Sequence, residues 1–202
     1  AATQWVHTSA AMQAAEILNL GGSSSPAGPR ILDLGCGSAV WSCAMAHRDA
    51  ASSIVAVDNA AAIKSAKSTA ESIGLGDRFR TIESDPRQAS LGDAVFDLVV
   101  IAQQLSVFSD DQAVGLVRKA AQALNPGGRL VLPDFYRGPG QPGLAESVNR
   151  LEIHLSTPSG RVRDLRFCQQ MLLDAGLDEI QFVYLPASRH GLGMIVAKRP
   201  AD

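Results

Sequence analysis

The residues of this chain with the clearest chemical content are Asp33, Gly35, Cys36, Gly37 and Asp58, in the run Ile31-Leu32-Asp33-Leu34-Gly35-Cys36-Gly37-Ser38-Ala39 and the later Val57-Asp58. Two glycines flanking Cys36 let backbone approach a ligand with no Cβ in the way. A helix starting just after them would aim the positive end of its dipole at the same place. A carboxylate 23 residues beyond Gly35 stands where it can accept hydrogen bonds from a ribose diol. Together these features point to a nucleoside-containing cofactor. The dinucleotide fingerprint asks for a third small residue at position 40, and Val40 stands there. Small residues instead alternate at Gly35, Gly37 and Ala39, with Asp33 two positions ahead of them.

These residues need strands behind them. Arg30–Leu34 and Ser53–Val57 read as short buried strands that end at the glycine loop and at Asp58. Between and beyond them the pattern alternates: a helix over about 4–20, another over 39–47, and an Ala-rich one over 60–73 stopped by Gly74. Further strands are expected over 78–82, 95–101 and 129–132, the last after a turn at Asn125-Pro126-Gly127-Gly128. Ser109-Asp110-Asp111-Gln112 is a capping box that opens a helix to about Leu124. Helices follow over 144–155 and 164–175, then two strands, 179–185 and 193–197, with no helix between them. The expectation is an α/β fold: a doubly wound, mostly parallel seven-stranded sheet with a C-terminal antiparallel hairpin. Residues 1–202 read as a single domain, with 1–28 as N-terminal helix and linker.

Composition narrows the partners. Lys and Arg number 18 against 20 Asp and Glu, a net charge of −2, which gives no electrostatic footprint for nucleic acid. No apolar stretch reaches the ~20 residues of a membrane span, and no polybasic segment marks a membrane surface. Cys36, Cys43 and Cys168 are too few and scattered for a disulfide framework, so they are expected to be reduced thiols in the cytoplasm. No His, Cys, Asp or Glu grouping has metal-ligand spacing, so no metal is expected.

The motifs taken together resemble the class I S-adenosylmethionine-dependent methyltransferases, and within them the catalytic domain of the plant and bacterial O-methyltransferase group. The resemblance is carried by Ile31–Ala39, Val57-Asp58, Glu83-Ser84-Asp85, Phe96-Asp97-Leu98-Val99, Ser109–Gln112, Leu124–Phe135 and Ser156–Arg161. It implies S-adenosylmethionine as cofactor and methyl transfer to a small-molecule nucleophile, most often oxygen. It also implies roles. Gly35, Cys36 and Gly37 would pack on the methionine part, and Asp33 would orient its amino group. Asp58 would hold the ribose hydroxyls, with Asn59 beside the adenine. Asp85 would face the adenine amine, and Gln103 would line the pocket near the methionine part. The group carries an N-terminal dimerisation domain, so this chain is either one domain of a longer protein or a short stand-alone form, and a homodimer is implied.

The pattern breaks at the acid–base pair. Where the plant members place a His after the fourth strand, this chain has Ser106, and where they place the supporting Glu it has Val162. An unactivated Ser cannot take a phenol proton near neutrality. His7, His47, His154 and His190 read as structural or solvated, with His154 on the helix that would roof the substrate. Arg161, Arg163 and Arg166 read as a solvated helix start, and Trp5 and Trp41 as packing residues, with Trp5 able to cover a pocket mouth. No catalytic residue is identified. In-line methyl transfer can rest on alignment alone, and a non-catalytic domain of the same fold is the alternative.

Overall fold

In a computed structural model of the chain, residues 2–22, 28–138 and 140–201 are described, with the side chains of the first helix described from Val6 onward. The expectations for Ser23–Ala27 in the linker and for the Trp5 side chain lie outside them.

Helix α1 (Ala2–Ile17) precedes β1 (Arg30–Leu34), α2 (Val40–His47), β2 (Ser53–Asp58), α3 (Ala60–Ser72), β3 (Phe79–Glu83) and β4 (Phe96–Val100). After a 3-10 turn at Leu105–Val107 come α4 (Asp110–Ala123), β5 (Leu124–Asp134), β6 (Tyr136–Arg137) and α5 (Leu144–Ser156). The chain ends with β7 (Arg163–Asp164), α6 (Leu165–Asp174), β8 (Asp178–Tyr184) and β9 (Gly193–Lys198). Seven strands form one sheet in the order β3-β2-β1-β4-β5-β9-β8. The first five run parallel; β9 is antiparallel to both β5 and β8. The expected doubly wound sheet with its terminal hairpin is therefore present, and the order reverses between β1 and β4, beside the glycine loop.

The alternation of side chains along each strand decides which helix each residue meets. Ile31, Leu98, Val100 and Val131 face one way, into a core shared with Ala10, Ala14, Trp41, Met45, Ile63 and Ala66 of α1, α2 and α3. Leu32, Leu34, Val99, Ile101, Leu130 and Leu132 face the other, into a core with Leu116, Val117, Ala120, Met171 and Leu172 of α4 and α6. Ala10, Ala11, Ala14 and Ala15 are fully buried, and their small side chains let α1 lie close against α2.

Three local departures have physical causes. Asn125–Gly128 is not a free turn: β5 starts at Leu124 and runs through it, with a register irregularity against β4 between Phe96 and Leu98. Asp97 makes this possible, accepting from Asn125 Nδ2 at 2.7 Å and from the Arg30 backbone N–H at 2.8 Å. Arg78 belongs to a 3-10 turn rather than to β3. Its guanidinium donates to the Ser52 carbonyl at 2.8 Å, across the foot of β2. The two-residue β6 and β7 pair as a separate ribbon that sequence periodicity does not signal.

The basic cluster also divides. Arg163 is not solvated: it is 5% exposed. Its guanidinium donates to the carbonyls of Leu105 and Phe108 (the latter at 2.7 Å) and to Asp110 Oδ1 at 3.1 Å, and it lies 5.7 Å from the Phe167 ring. Arg161 pairs with Asp110 on the surface, and Arg166 lines a cleft with Arg137 and Arg150. Arg163 thus ties the start of α6 to the segment between β4 and α4. Arg163→Ala is expected to lower the unfolding free energy by about 3 kcal/mol, since it strands one buried and one part-buried carbonyl and breaks an ion pair. Arg163→Lys is expected to recover little of this, because an ammonium cannot fork between the acceptors. Urea unfolding of the three proteins checks both.

Candidate functional site

At the carboxyl end of β1 the chain must turn from strand into α2 while keeping its backbone groups paired. Gly35 N–H and Cys36 N–H both donate to the Val57 carbonyl, at 2.9 and 3.2 Å, tying the loop to the end of β2. Gly35 has φ +74°, and a Cβ there would stand 2.4 Å from the Gln104 side chain, so only glycine fits. Gly37, at φ +55°, is different: an added Cβ would meet nothing within 4 Å. It borders open space at the surface of the loop, room that a ligand can take. Ala39 is also left-handed, at φ 55°, and α2 starts at Val40, one residue later than sequence predicts.

Asp33 is the most unusual group of the site. Strand alternation points it at α2, where it is 1% exposed. Ser42 Oγ donates to its Oδ2 at 2.5 Å, while Oδ1 is buried with no hydrogen-bond partner among the described residues. Burial, aided by the charge of Asp58, pushes its carboxyl up to about 7 against the donation from Ser42. A carboxylate kept dry with one oxygen unpaired is set up for a cationic partner. Ser42 itself, fully buried, escapes the sequence reading. The signal for it is one hydroxyl in the otherwise apolar run Val40-Trp41-Ser42-Cys43-Ala44-Met45-Ala46.

Asp58 ends β2 and faces the loop. Its Oδ2 accepts the Gly37 N–H at 2.9 Å, and its Oδ1 accepts from the Asn59 backbone and side chain at 2.7 and 2.8 Å. Oδ1 thus has both lone pairs engaged, and Oδ2 keeps one for a further donor. Asn59 caps α3, its Oδ1 accepting from Ala61 and Ala62 N–H. The Asn59 side chain is therefore committed to the helix, and what it offers a ligand is limited to its position beside Asp58. Cys36 and Cys43 are buried against these carboxylates, and burial raises both thiols, so neither is a thiolate.

Asp85 is held by Arg87, whose guanidinium reaches it at 2.5 Å; that pairing keeps the carboxyl below its usual range. Gln103, just past β4, is left-handed at φ 54°, and its N–H donates to the Pro133 carbonyl at 2.7 Å. Its side chain meets His7 Nε2 at 3.2 Å. So the structure brings Asp33, Gly35, Cys36, Gly37, Asp58 and Asn59 into one loop cluster. Gln103 and Asp85 sit at the ends of neighbouring strands, and Asp85 is engaged elsewhere. Ser106 is sealed: it is 2% exposed, its N–H donates to the buried Asp134 at 3.1 Å, and Gly160 packs directly on its carbonyl. Among the described residues no group of three His, Cys, Asp or Glu side chains could hold a metal ion, and no helix is long and apolar enough to cross a membrane.

Comparison with known proteins agrees with this geometry. Residues 31–128 match the family described as a methyltransferase domain. The 27-O-demethylrifamycin SV methyltransferase of Amycolatopsis mediterranei (strain S699) is 31% identical over 125 residues, which are 62% of this chain and 45% of that protein. Among solved structures, a candidate O-methyltransferase of Nostoc punctiforme PCC 73102 superposes with a TM-score of 0.87 at 23% identity, covering 96% of this chain and 57% of that one. The S-adenosylmethionine-dependent methyltransferase SibL superposes with a TM-score of 0.72 at 27% identity, covering 86% and 51%. The chain thus spans about half the length of the relatives it matches. Residues 31–128 are thus similar to a methyltransferase domain, and the fold of the chain is similar to that of the solved methyltransferases.

Proposed function

We propose that this domain binds S-adenosylmethionine and transfers its methyl group to an oxygen of a small-molecule acceptor. The observation that carries the reading is the sign and placement of charge in the loop cluster. Asp33 has a buried oxygen with no partner among the described residues, and Asp58 has already taken the Gly37 N–H that a pyrophosphate would need. Two carboxylates with a committed loop amide repel a dinucleotide and favour a ligand that is cationic at one end and a nucleoside at the other. Asp33 Oδ1 would accept from the ligand's ammonium group. Asp58 would accept from the ribose hydroxyls, and the open face of Gly37 would carry the chain between them. Asp85 would have to share its carboxylate with Arg87 to accept from an adenine amine. When bound, the cofactor supplies a methyl group on a sulfonium, which needs only an aligned nucleophile to react. Oxygen as acceptor atom, and a small molecule as acceptor, are supported by the rifamycin relative, whose name gives a 27-O position. A homodimer and a cytoplasmic location remain part of the proposal on the strength of the sequence resemblance and the cysteine pattern alone.

The raised carboxyl of Asp33 makes binding pH-dependent. Below about 7 the unliganded carboxyl holds its proton, and an ammonium group can pair with it only after that proton leaves. Affinity is expected to rise about tenfold per pH unit up to about 7 and then to level, with about one proton released near pH 6. Calorimetry with S-adenosylhomocysteine in buffers of different ionisation enthalpy reads both, and Asp33→Asn is expected to remove the proton release. The same shift sets the stability of the unliganded chain. The unfolded carboxyl ionises near 3.8 and the folded one at about 7, so this group's contribution is lost as pH rises through that window.

Asp58→Ala is expected to weaken binding by about 1.5–3 kcal/mol, the scale for hydrogen bonds to a charged group. Gly37→Val is expected to abolish binding while the far-ultraviolet circular dichroism stays native, because its side chain projects into the ligand's space from a strained φ. Unchanged affinity in either variant removes that residue from the site. Incubation with S-adenosylmethionine and a panel of phenols, followed by mass spectrometry for a gain of one methyl group, tests the transfer itself.

A further inference from the structure

A cavity of about 1000 Å³ opens past the carboxyl end of β5, where α5 meets the β6–β7 ribbon and the start of α6. That is room for a small organic molecule rather than for a bare ion. Three arginines reach it from three elements: Arg137 from β6, Arg150 from α5 and Arg166 from the first turn of α6. The carboxylate among its described lining residues is Asp164.

Each arginine has its own support. Arg137 lies opposite Asp164 in the pairing of β6 with β7, and its guanidinium donates to Asp164 Oδ2 at 3.0 Å. Asp164 Oδ1 accepts the Phe167 N–H at 2.8 Å, so that carboxylate is already engaged at both oxygens. Arg166 follows Arg163, whose buried guanidinium fixes the start of α6 to the carbonyls of Leu105 and Phe108. Arg150 sits in the middle of α5, a helix tied down on both sides of it. Asn149 donates to the His190 carbonyl at 2.9 Å, and just past the helix end Thr157 Oγ1 accepts the Gly160 N–H at 3.0 Å. The guanidinium groups of Arg150 and Arg166 have no ion-pair or hydrogen-bond partner among the described residues. Asp164 offsets Arg137, and the charges of Arg150 and Arg166 are left uncompensated, in a chain whose net charge is −2.

Two unpaired guanidinium forks that line one cavity match an oxyanion with two charges and several acceptor oxygens. A phosphate monoester has both near neutrality, whereas a carboxylate would leave one fork unmet. The positive end of the α6 dipole adds to the same field. Leu165 and Pro142 give the cavity an apolar wall for the organic part of such a ligand. We propose that this cleft is a binding site for a small organic phosphate ester, its phosphate held by Arg150 and Arg166 and flanked by Arg137. The site goes beyond the methyl-transfer reading and does not depend on it. The ester has two sources, a phosphate carried by the methyl acceptor itself or a separate ligand, and the test tells them apart.

Calorimetry of the chain with phenyl phosphate and with inorganic phosphate, at about pH 7.5 where both are mostly dianions, reads the binding. Phenyl phosphate is expected to bind, and inorganic phosphate to bind several-fold more weakly. Arg150→Ala and Arg166→Ala should each weaken phenyl phosphate about tenfold, the scale of one lost hydrogen bond to a charged group. Arg150→Lys should recover only part of this, because an ammonium is not a fork. Lys64→Ala removes the same charge from α3, on the opposite face of the sheet from α6, and should leave the affinity within twofold. Sodium chloride at about 0.3 M should weaken binding several-fold by screening. The source follows from 4-hydroxyphenyl phosphate offered with S-adenosylmethionine. Methylation with a KM below that for phenol, rising about tenfold in Arg150→Ala, assigns the phosphate to the methyl acceptor. Binding without methylation assigns it to a separate ligand.

Absence of phenyl phosphate binding at millimolar concentration overturns the proposal. So does binding that Arg150→Ala and Arg166→Ala leave within twofold of wild type, which places the ester elsewhere. A loss in Lys64→Ala equal to theirs also overturns it, since the effect is then one of net charge. Inorganic phosphate binding as tightly as phenyl phosphate overturns the organic ligand, because the cleft then holds the bare ion alone. If phenyl phosphate binds as expected and no phenol is methylated, the methyl-transfer reading fails while this site stands.

Discussion

The site is organised around a carboxylate that is out of place. Asp33 stands in the middle of the sheet at a position that strand alternation makes an interior one, between Ile31 on its own face and the apolar wall of α2. An isolated charge there is expensive, and one hydroxyl from Ser42 satisfies only one of its two oxygens. The chain tolerates this because the group can hold its proton when nothing is bound. The arrangement stabilises the folded state less than an apolar residue would.

Everything around Asp33 follows from presenting that second oxygen. The loop must leave β1 sharply, which Gly35 allows where a side chain would collide with Gln104. It must also be pinned at its far side, which Val57 and Asp58 do by accepting three of its backbone N–H groups. The neighbouring segment after β4 has a different support. Its carbonyls at 105 and 108 are gathered by Arg163, arriving from the opposite end of the sequence. Ser106, in the same segment, is buried.

The comparisons bear on this at two depths. Likeness of fold to solved structures extends over nearly the whole chain at low identity, which speaks to the layers and their order. The family match is confined to residues 31–128. It covers the loop, Asp58 and β4, but neither α1 nor the α5 and hairpin segments that surround His7. Sequence patterns carry least information in those outer parts.

What the sequence determined by itself is local. Alternating short apolar runs and amphipathic stretches, each bounded by Gly, Pro or a capping box, were enough for a doubly wound sheet. Asp33, Gly35, Gly37 and Asp58 were legible because their chemistry depends on strand ends, and a strand end is a property of neighbouring residues. Asn59 was legible in place but not in use, since only the geometry of α3 shows its side chain spent on the helix. What tertiary structure decided is everything that joins distant segments. The burial of Arg163 under the β4–α4 loop depends on packing that no window of sequence contains. So does the extension of β5 through Asn125–Gly128, held by Asp97. The meeting of His7 with Gln103, 96 positions apart, is of the same kind. A histidine in the first helix has no periodic signature of the residues it will meet. It meets Trp41 and Gln103 only when a stripe of alanines lays its helix against α2, because a side chain's surroundings depend on what the fold places next to it.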